Sequence, residues 1–83
     1  MNDADVYTYL DGLFKAIFGR DDIVLRPELT AQDVVGWDSF RQVEITLALE
    51  EKFNIRIRTK EVNNLSNLGE LVALVLRKTG PAA

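Results

Sequence analysis

Apolar residues in this chain recur every three or four positions over three long stretches, and nowhere in the strict alternation that a half-buried strand requires. In the first stretch Val6, Leu10, Leu13, Phe14, Ile17 and Phe18 share one helix face, with Tyr9 beside them. Asp3 or Asp5 stands where a cap and a favourable N-terminal charge belong, and Gly19 supplies the stop. The second helix is expected from about Ser39 to Phe53, with Phe40, Val43, Ile45, Leu47, Leu49 and Phe53 as its apolar set and Asn54 as its end. "TKEVNNL" then reads as a brief helical turn with Val62 and Leu65 pointing inward. Ser66 is placed to cap a last helix whose Leu68, Leu71, Val72, Val75 and Leu76 form one stripe, closed by Lys78, Gly80 and Pro81. Residues 20 to 37 lack this period, contain Pro27, and make a connection longer than compact domains usually carry without a functional reason. Thr30 and Asp33 could cap one short turn within it. The expected fold is all-α: a small antiparallel bundle of three principal helices plus one short one, with a long loop between the first and second helices. All 83 residues are expected to form one domain.

A chain of this length buries only about 60% of the surface that its unfolded form exposes, so a large enclosed active site is not expected. It has no cysteine and no histidine. That excludes disulfides, thiolate metal sites and a cysteine nucleophile, and removes the commonest general base. A formal charge of −3 argues against a nucleic-acid partner. No apolar run approaches the roughly 20 residues that span a bilayer, and no basic leader precedes a hydrophobic stretch; a soluble, cytoplasmic, monomeric protein is expected. The charges are segregated. Residues 1 to 40 hold eight acids against three bases, whereas residues 41 to 83 hold seven bases against five acids, with Arg56, Arg58 and Lys60 clustered.

One serine concentrates the functional question. In "GWDSFRQVE", residues 36 to 44, Ser39 stands where the polar run becomes helical, and with Gln42 three residues on it fits a capping box; Asp38 could do the same job. As a hydrolytic nucleophile it has no histidine to accept its proton and no G-x-S-x-G elbow. If it reacts, another protein must activate it.

Read together, "GWDSFRQVEITLALEEKFNIRI", residues 36 to 57, resembles the prosthetic-group segment of acyl carrier proteins: Gly, one variable residue, Asp-Ser, a large apolar residue, then Val-Glu and Leu-Glu-Glu ahead of an aromatic. The resemblance extends over the helix order of the rest of the chain. It places Ser39 at the position to which a phosphopantetheinyl transferase attaches 4′-phosphopantetheine from coenzyme A, as a carrier of acyl thioesters and not an enzyme. The implied work is fatty-acid-like, polyketide or other specialised acyl biosynthesis, with partners such as an acyl ligase, ketosynthase or acyltransferase. Asp38 is then both a cap and a contact for the transferase, and Phe40 a half-exposed residue that touches core and partner alike. Arg41, Glu44, Glu50, Glu51, Arg56 and Arg58 are the remaining candidate partner contacts. Glu44 and Glu51 share a helix face with Arg41 and Ala48 and should be exposed, with Glu50 to one side. Trp37 is expected to close the end of the loop over the bundle.

Two departures narrow this reading. Arg41 stands where carriers of fatty-acid synthesis usually place an acid, and Arg56, Arg58 and Lys60 replace their usual acidic continuation; Val34-Val35-Gly36 also replaces "Asp-Leu-Gly". They point to a specialised carrier with its own small set of enzymes, and the short termini and lack of a linker favour a free-standing protein over an excised module. An aminoacyl or peptidyl carrier of the nonribosomal type shares the arm and differs in cargo. An unmodified helical interaction module, with Ser39 as a cap only, is the alternative from another class.

Overall fold

The structure is a computed structural model that describes residues 2–79; Gly80 and Pro81, expected to close the last helix, lie outside that range. The order is α1 (Asp3–Phe18), a single 3-10 turn (Ala31–Asp33), α2 (Ser39–Phe53), α3 (Thr59–Asn63) and α4 (Leu68–Thr79). The described residues contain no strand, and the arrangement is the expected small antiparallel bundle of three principal helices plus one short one. α1, α2 and α4 pack on one another around Val6, Leu10, Phe14, Ile45, Leu49, Leu68, Leu71, Val72, Leu74 and Val75.

Each helix begins at a local hydrogen-bond device; at α1 and α4 a neighbour of the expected residue provides it, and at α2 it is Asp38, the second of the two caps the sequence offered. Asn2, not Asp3 or Asp5, caps α1: its side chain accepts from the Asp5 N–H while the Asp5 carboxylate accepts from the Asn2 N–H. Asp38, not Ser39, caps α2, accepting from the Arg41 N–H at 2.9 Å. Asn67, not Ser66, caps α4 by accepting from the Glu70 N–H, and Ser66 instead donates its own N–H to the Glu70 carboxylate. An ionised or amide oxygen is as good a cap as a hydroxyl, so adjacent Asp-Ser and Ser-Asn pairs leave the sequence undecided. The stops are as expected, with Gly19 at φ 64° and Asn54 at φ 55° in the left-handed conformation that ends a helix.

The long loop is part of the core. Leu29 and Val34 are buried in it, and the Thr30 N–H and hydroxyl both donate to Asp33, which fixes the short turn. The carbonyls of Leu29 and Pro27 accept the Leu68 and Gly69 N–H groups at 2.8 and 2.9 Å, so the loop satisfies the otherwise orphaned start of α4. Gly69 makes this approach feasible: a Cβ there would stand 2.9 Å from Pro27 Cβ and 3.1 Å from its carbonyl oxygen.

α2 departs most from expectation. Of its six apolar residues only Ile45 and Leu49 are buried, with Phe53 partly so; Phe40, Val43 and Leu47 are 67%, 56% and 59% exposed. At about 100° per residue the exposed three lie on the side of the helix opposite Ile45 and Leu49. Val43 and Leu47, expected in the core, therefore form a second apolar stripe that faces away from it. In α4, Leu74 is buried although it was not assigned to the stripe, and Leu76 is only partly buried.

Candidate functional site

Ser39 is delivered by a short, tightly specified run. Gly36 adopts φ 94°, and the Trp37 N–H returns to the Val34 carbonyl at 3.1 Å, turning the chain towards α2. The Trp37 ring packs edge-on against Phe14, with centroids 5.2 Å apart, and tilts against Phe18. Its indole N–H donates to Gln42 Oε1 at 2.8 Å, tying the end of the loop to the first turn of α2. Trp37 thus closes the loop over the bundle, as its position suggested.

Asp38 as cap leaves Ser39 as the first helical residue, exposed, its hydroxyl with no hydrogen-bond partner among the described residues. The N–H groups of Ser39 and Phe40 also lack a partner there, as the first turn of a helix dictates. An anion bonded to Ser39 Oγ would meet those donors at the positive end of a 15-residue helix. The residues fit a phosphodiester-linked group.

Beside Ser39 runs an open groove of about 670 Å³. Gln42, Val43, Thr46, Leu47 and Glu50 of α2 line one wall, and Ile57, Thr59, Val62 and Asn63 the other. A polar ladder follows its α2 wall: Gln42 donates to the Thr46 hydroxyl, which donates to the Gln42 carbonyl, and Glu50 lies one turn further on. The opposite wall depends on Glu50. Its carboxylate accepts the Ile57 N–H at 2.7 Å, pinning the 54–58 connection against α2. The i, i+4, i+8 spacing of Gln42, Thr46 and Glu50 was visible in the sequence; that residues of α3 would stand opposite them was not.

The candidate partner contacts divide. Arg41 donates to Glu44 at 2.6 Å, each about 40% exposed, and its guanidinium lies over the Phe40 ring. Glu50 is committed to Ile57 and is a positioning residue of the groove, not a free surface acid. Glu51, Arg56 and Arg58 are exposed, and so is Phe40, which therefore adds little to the core.

Residues 8–75 match the family described as "Phosphopantetheine attachment site". The acyl carrier protein of Acidothermus cellulolyticus is 32% identical over 75 residues, covering 90% of this chain and 89% of the relative. That of Guillardia theta is 27% identical over 78 residues, covering 94% and 96%. The solution structure of holo acyl carrier protein from Geobacter metallireducens superposes with a TM-score of 0.78 at 34% identity, covering 86% of this chain and 82% of that one. The chain belongs to the acyl carrier protein family. It is therefore a carrier of acyl thioesters and not an enzyme, and its prosthetic group is phosphopantetheine, which supplies the thiol that this cysteine-free chain lacks. Membership also implies interaction with a phosphopantetheinyl transferase and with acyl-processing enzymes. No helix among the described residues is long and apolar enough to cross a membrane.

Proposed function

We propose that Ser39 is the attachment point, that residues 1 to 83 act as one carrier domain, and that the carrier serves specialised acyl biosynthesis, fatty-acid-like or polyketide. The observation that carries this is the division of labour at the start of α2: Asp38 does the capping, so the Ser39 hydroxyl is free and exposed. In the attachment step Ser39 Oγ would form a phosphoester bond to the phosphopantetheinyl phosphorus as the P–O–P bridge of coenzyme A breaks and adenosine 3′,5′-bisphosphate leaves with the bridging oxygen. The carboxylate of the adjacent Asp38 accepts the Arg41 N–H, and the Ser39 hydroxyl has no base bonded to it among the described residues, so a base on the transferase would take the serine proton.

Phe40, Arg41, Glu44 and Glu51 offer a partner face around the attachment point, and the exposed Arg56 and Arg58 extend it. The carrier acts as a cytoplasmic monomer that meets its transferase and then a loading ligase, acyltransferase or ketosynthase. Intact-protein mass after incubation with coenzyme A and a broad-specificity transferase tests the assignment. The expected result is a gain of one phosphopantetheinyl group that Ser39→Ala abolishes while keeping the fold. Persistence of the gain in Ser39→Ala, or no gain in the parent, refutes it. Stability adds a second readout: because Asp38 is the cap, Ser39→Ala changes unfolding free energy by less than about 0.5 kcal/mol, whereas Asp38→Ala costs about 0.5–2 kcal/mol.

A further inference from the structure

Around Ser39 most carboxylates are engaged by groups of the chain itself, whereas Arg56, Arg58 and Lys60 form no ion pair with a described residue. Asp38 caps α2, Glu44 pairs with Arg41, Glu50 holds the Ile57 N–H, and Glu61 accepts the Arg58 N–H and pairs with Lys78 at 2.9 Å. Among the described residues only Glu51 on this side has no partner. Across the groove, Arg56, Arg58 and Lys60 are exposed and none forms an ion pair with a described residue. They alternate with groove-facing residues: Ile57 and Thr59 line the groove, and the three cations do not. Exposed and outside the groove lining, they are accessible to a surface that approaches the carrier. On α2, next to Ser39, lies the exposed stripe Phe40, Val43 and Leu47, of which Val43 and Leu47 line the same groove as Ile57 and Thr59.

We propose that this carrier docks on proteins whose contact surface is an apolar socket edged with Asp and Glu, the socket receiving Phe40, Val43 and Leu47 and the acids meeting Arg56, Arg58 and Lys60. This rests on the carrier reading above, because it assumes that partners approach around Ser39. An exposed row of cations favours acidic partners by speeding encounter and repels surfaces that are basic at the same place. The apolar stripe is what selects a protein over a purely anionic polymer, since phosphates offer it nothing.

The test uses the full unmodified chain, so its outcome is independent of whether Ser39 accepts phosphopantetheine. The 15N-labelled protein is titrated with two synthetic amphipathic helical peptides of identical apolar face, one edged with Glu and one with Lys, and separately with phosphatidylglycerol vesicles and a short duplex DNA. The expected result is binding of the Glu peptide about tenfold tighter than the Lys peptide at low salt. Amide shifts should centre on Phe40, Val43, Leu47, Arg56 and Arg58, and the preference should shrink as salt is added. The variant Arg56→Glu/Arg58→Glu/Lys60→Glu, checked for native fold by circular dichroism, should reverse the preference. Equal or tighter binding of the Lys peptide, no binding of the Glu peptide, an unchanged preference in the triple variant, or tighter binding to vesicles or DNA than to the Glu peptide overturns the proposal.

Discussion

Replacing Gly69 by alanine tests whether the long loop is clasped to the last helix as the hydrogen bonds indicate. The new Cβ would meet Pro27 Cβ at 2.9 Å, its carbonyl oxygen at 3.1 Å and its Cα at 3.2 Å. Two of those three atoms are backbone, so relief requires the loop to move and not a side chain to rotate. Forcing the loop outward costs about 1–3 kcal/mol of overpacking and weakens the Gly69 to Pro27 and Leu68 to Leu29 hydrogen bonds, each contributing about 0.5–1.5 kcal/mol. Against this, alanine within a helix is favoured over glycine by about 1 kcal/mol. The net expectation is a loss of about 1–3 kcal/mol, or roughly 5–15 °C in Tm for a domain of this size. Gly12, on the exposed side of α1 with no atom within 4 Å of its built Cβ, is the control: Gly12→Ala should raise stability by about 0.5–1 kcal/mol. Urea unfolding followed through Trp37 fluorescence measures both, because that ring packs on Phe14 only when the loop is seated. If Gly69→Ala stabilises the protein as Gly12→Ala does, the loop does not lie against α4 at this distance and the account of the clasp is wrong.

Glu50→Ala leaves the Ile57 N–H without its acceptor and should cost about 1–2 kcal/mol, most of it recovered in Glu50→Gln; faster amide exchange at Ile57 would accompany the loss, and unchanged exchange would count against the contact. Glu61 has its pKa lowered, first by the Arg58 N–H and then by Lys78. A carboxylate whose folded pKa lies below its unfolded value stabilises fully above the ordinary value of 4.5 and loses that contribution as pH falls through the folded one. Unfolding free energy should therefore decline below about pH 4.5 less steeply in Glu61→Gln than in the parent; equal slopes in a pH series of urea melts would assign the acid sensitivity elsewhere.

The helices were legible because each carries its own evidence in periodic apolar residues and in stops that only Gly19 and Asn54 satisfy without cost. Their starts were less so: a cap is chosen by which of two neighbouring oxygens the preceding chain aims at the first turn. Asp38 over Ser39 is the instance that matters for function. The exposed stripe on α2 was hidden for another reason, since periodicity marks an apolar face but not which of two such faces meets the core. Glu50 read as a surface acid because its partner, the Ile57 N–H, lies seven residues away across a turn.

Composition and local pattern alone determined that this would be a small helical protein without a thiol of its own, with a serine at the head of its second helix in the setting of a carrier. These are properties of short windows of chain, and short windows suffice to set helix phase, length and ends. Tertiary structure decided that the serine is released from capping, that a groove opens beside it against residues 57 to 63, and which charges stay free. Those outcomes depend on segments distant in sequence competing for the same hydrogen bonds and the same apolar surface, and only packing resolves that competition.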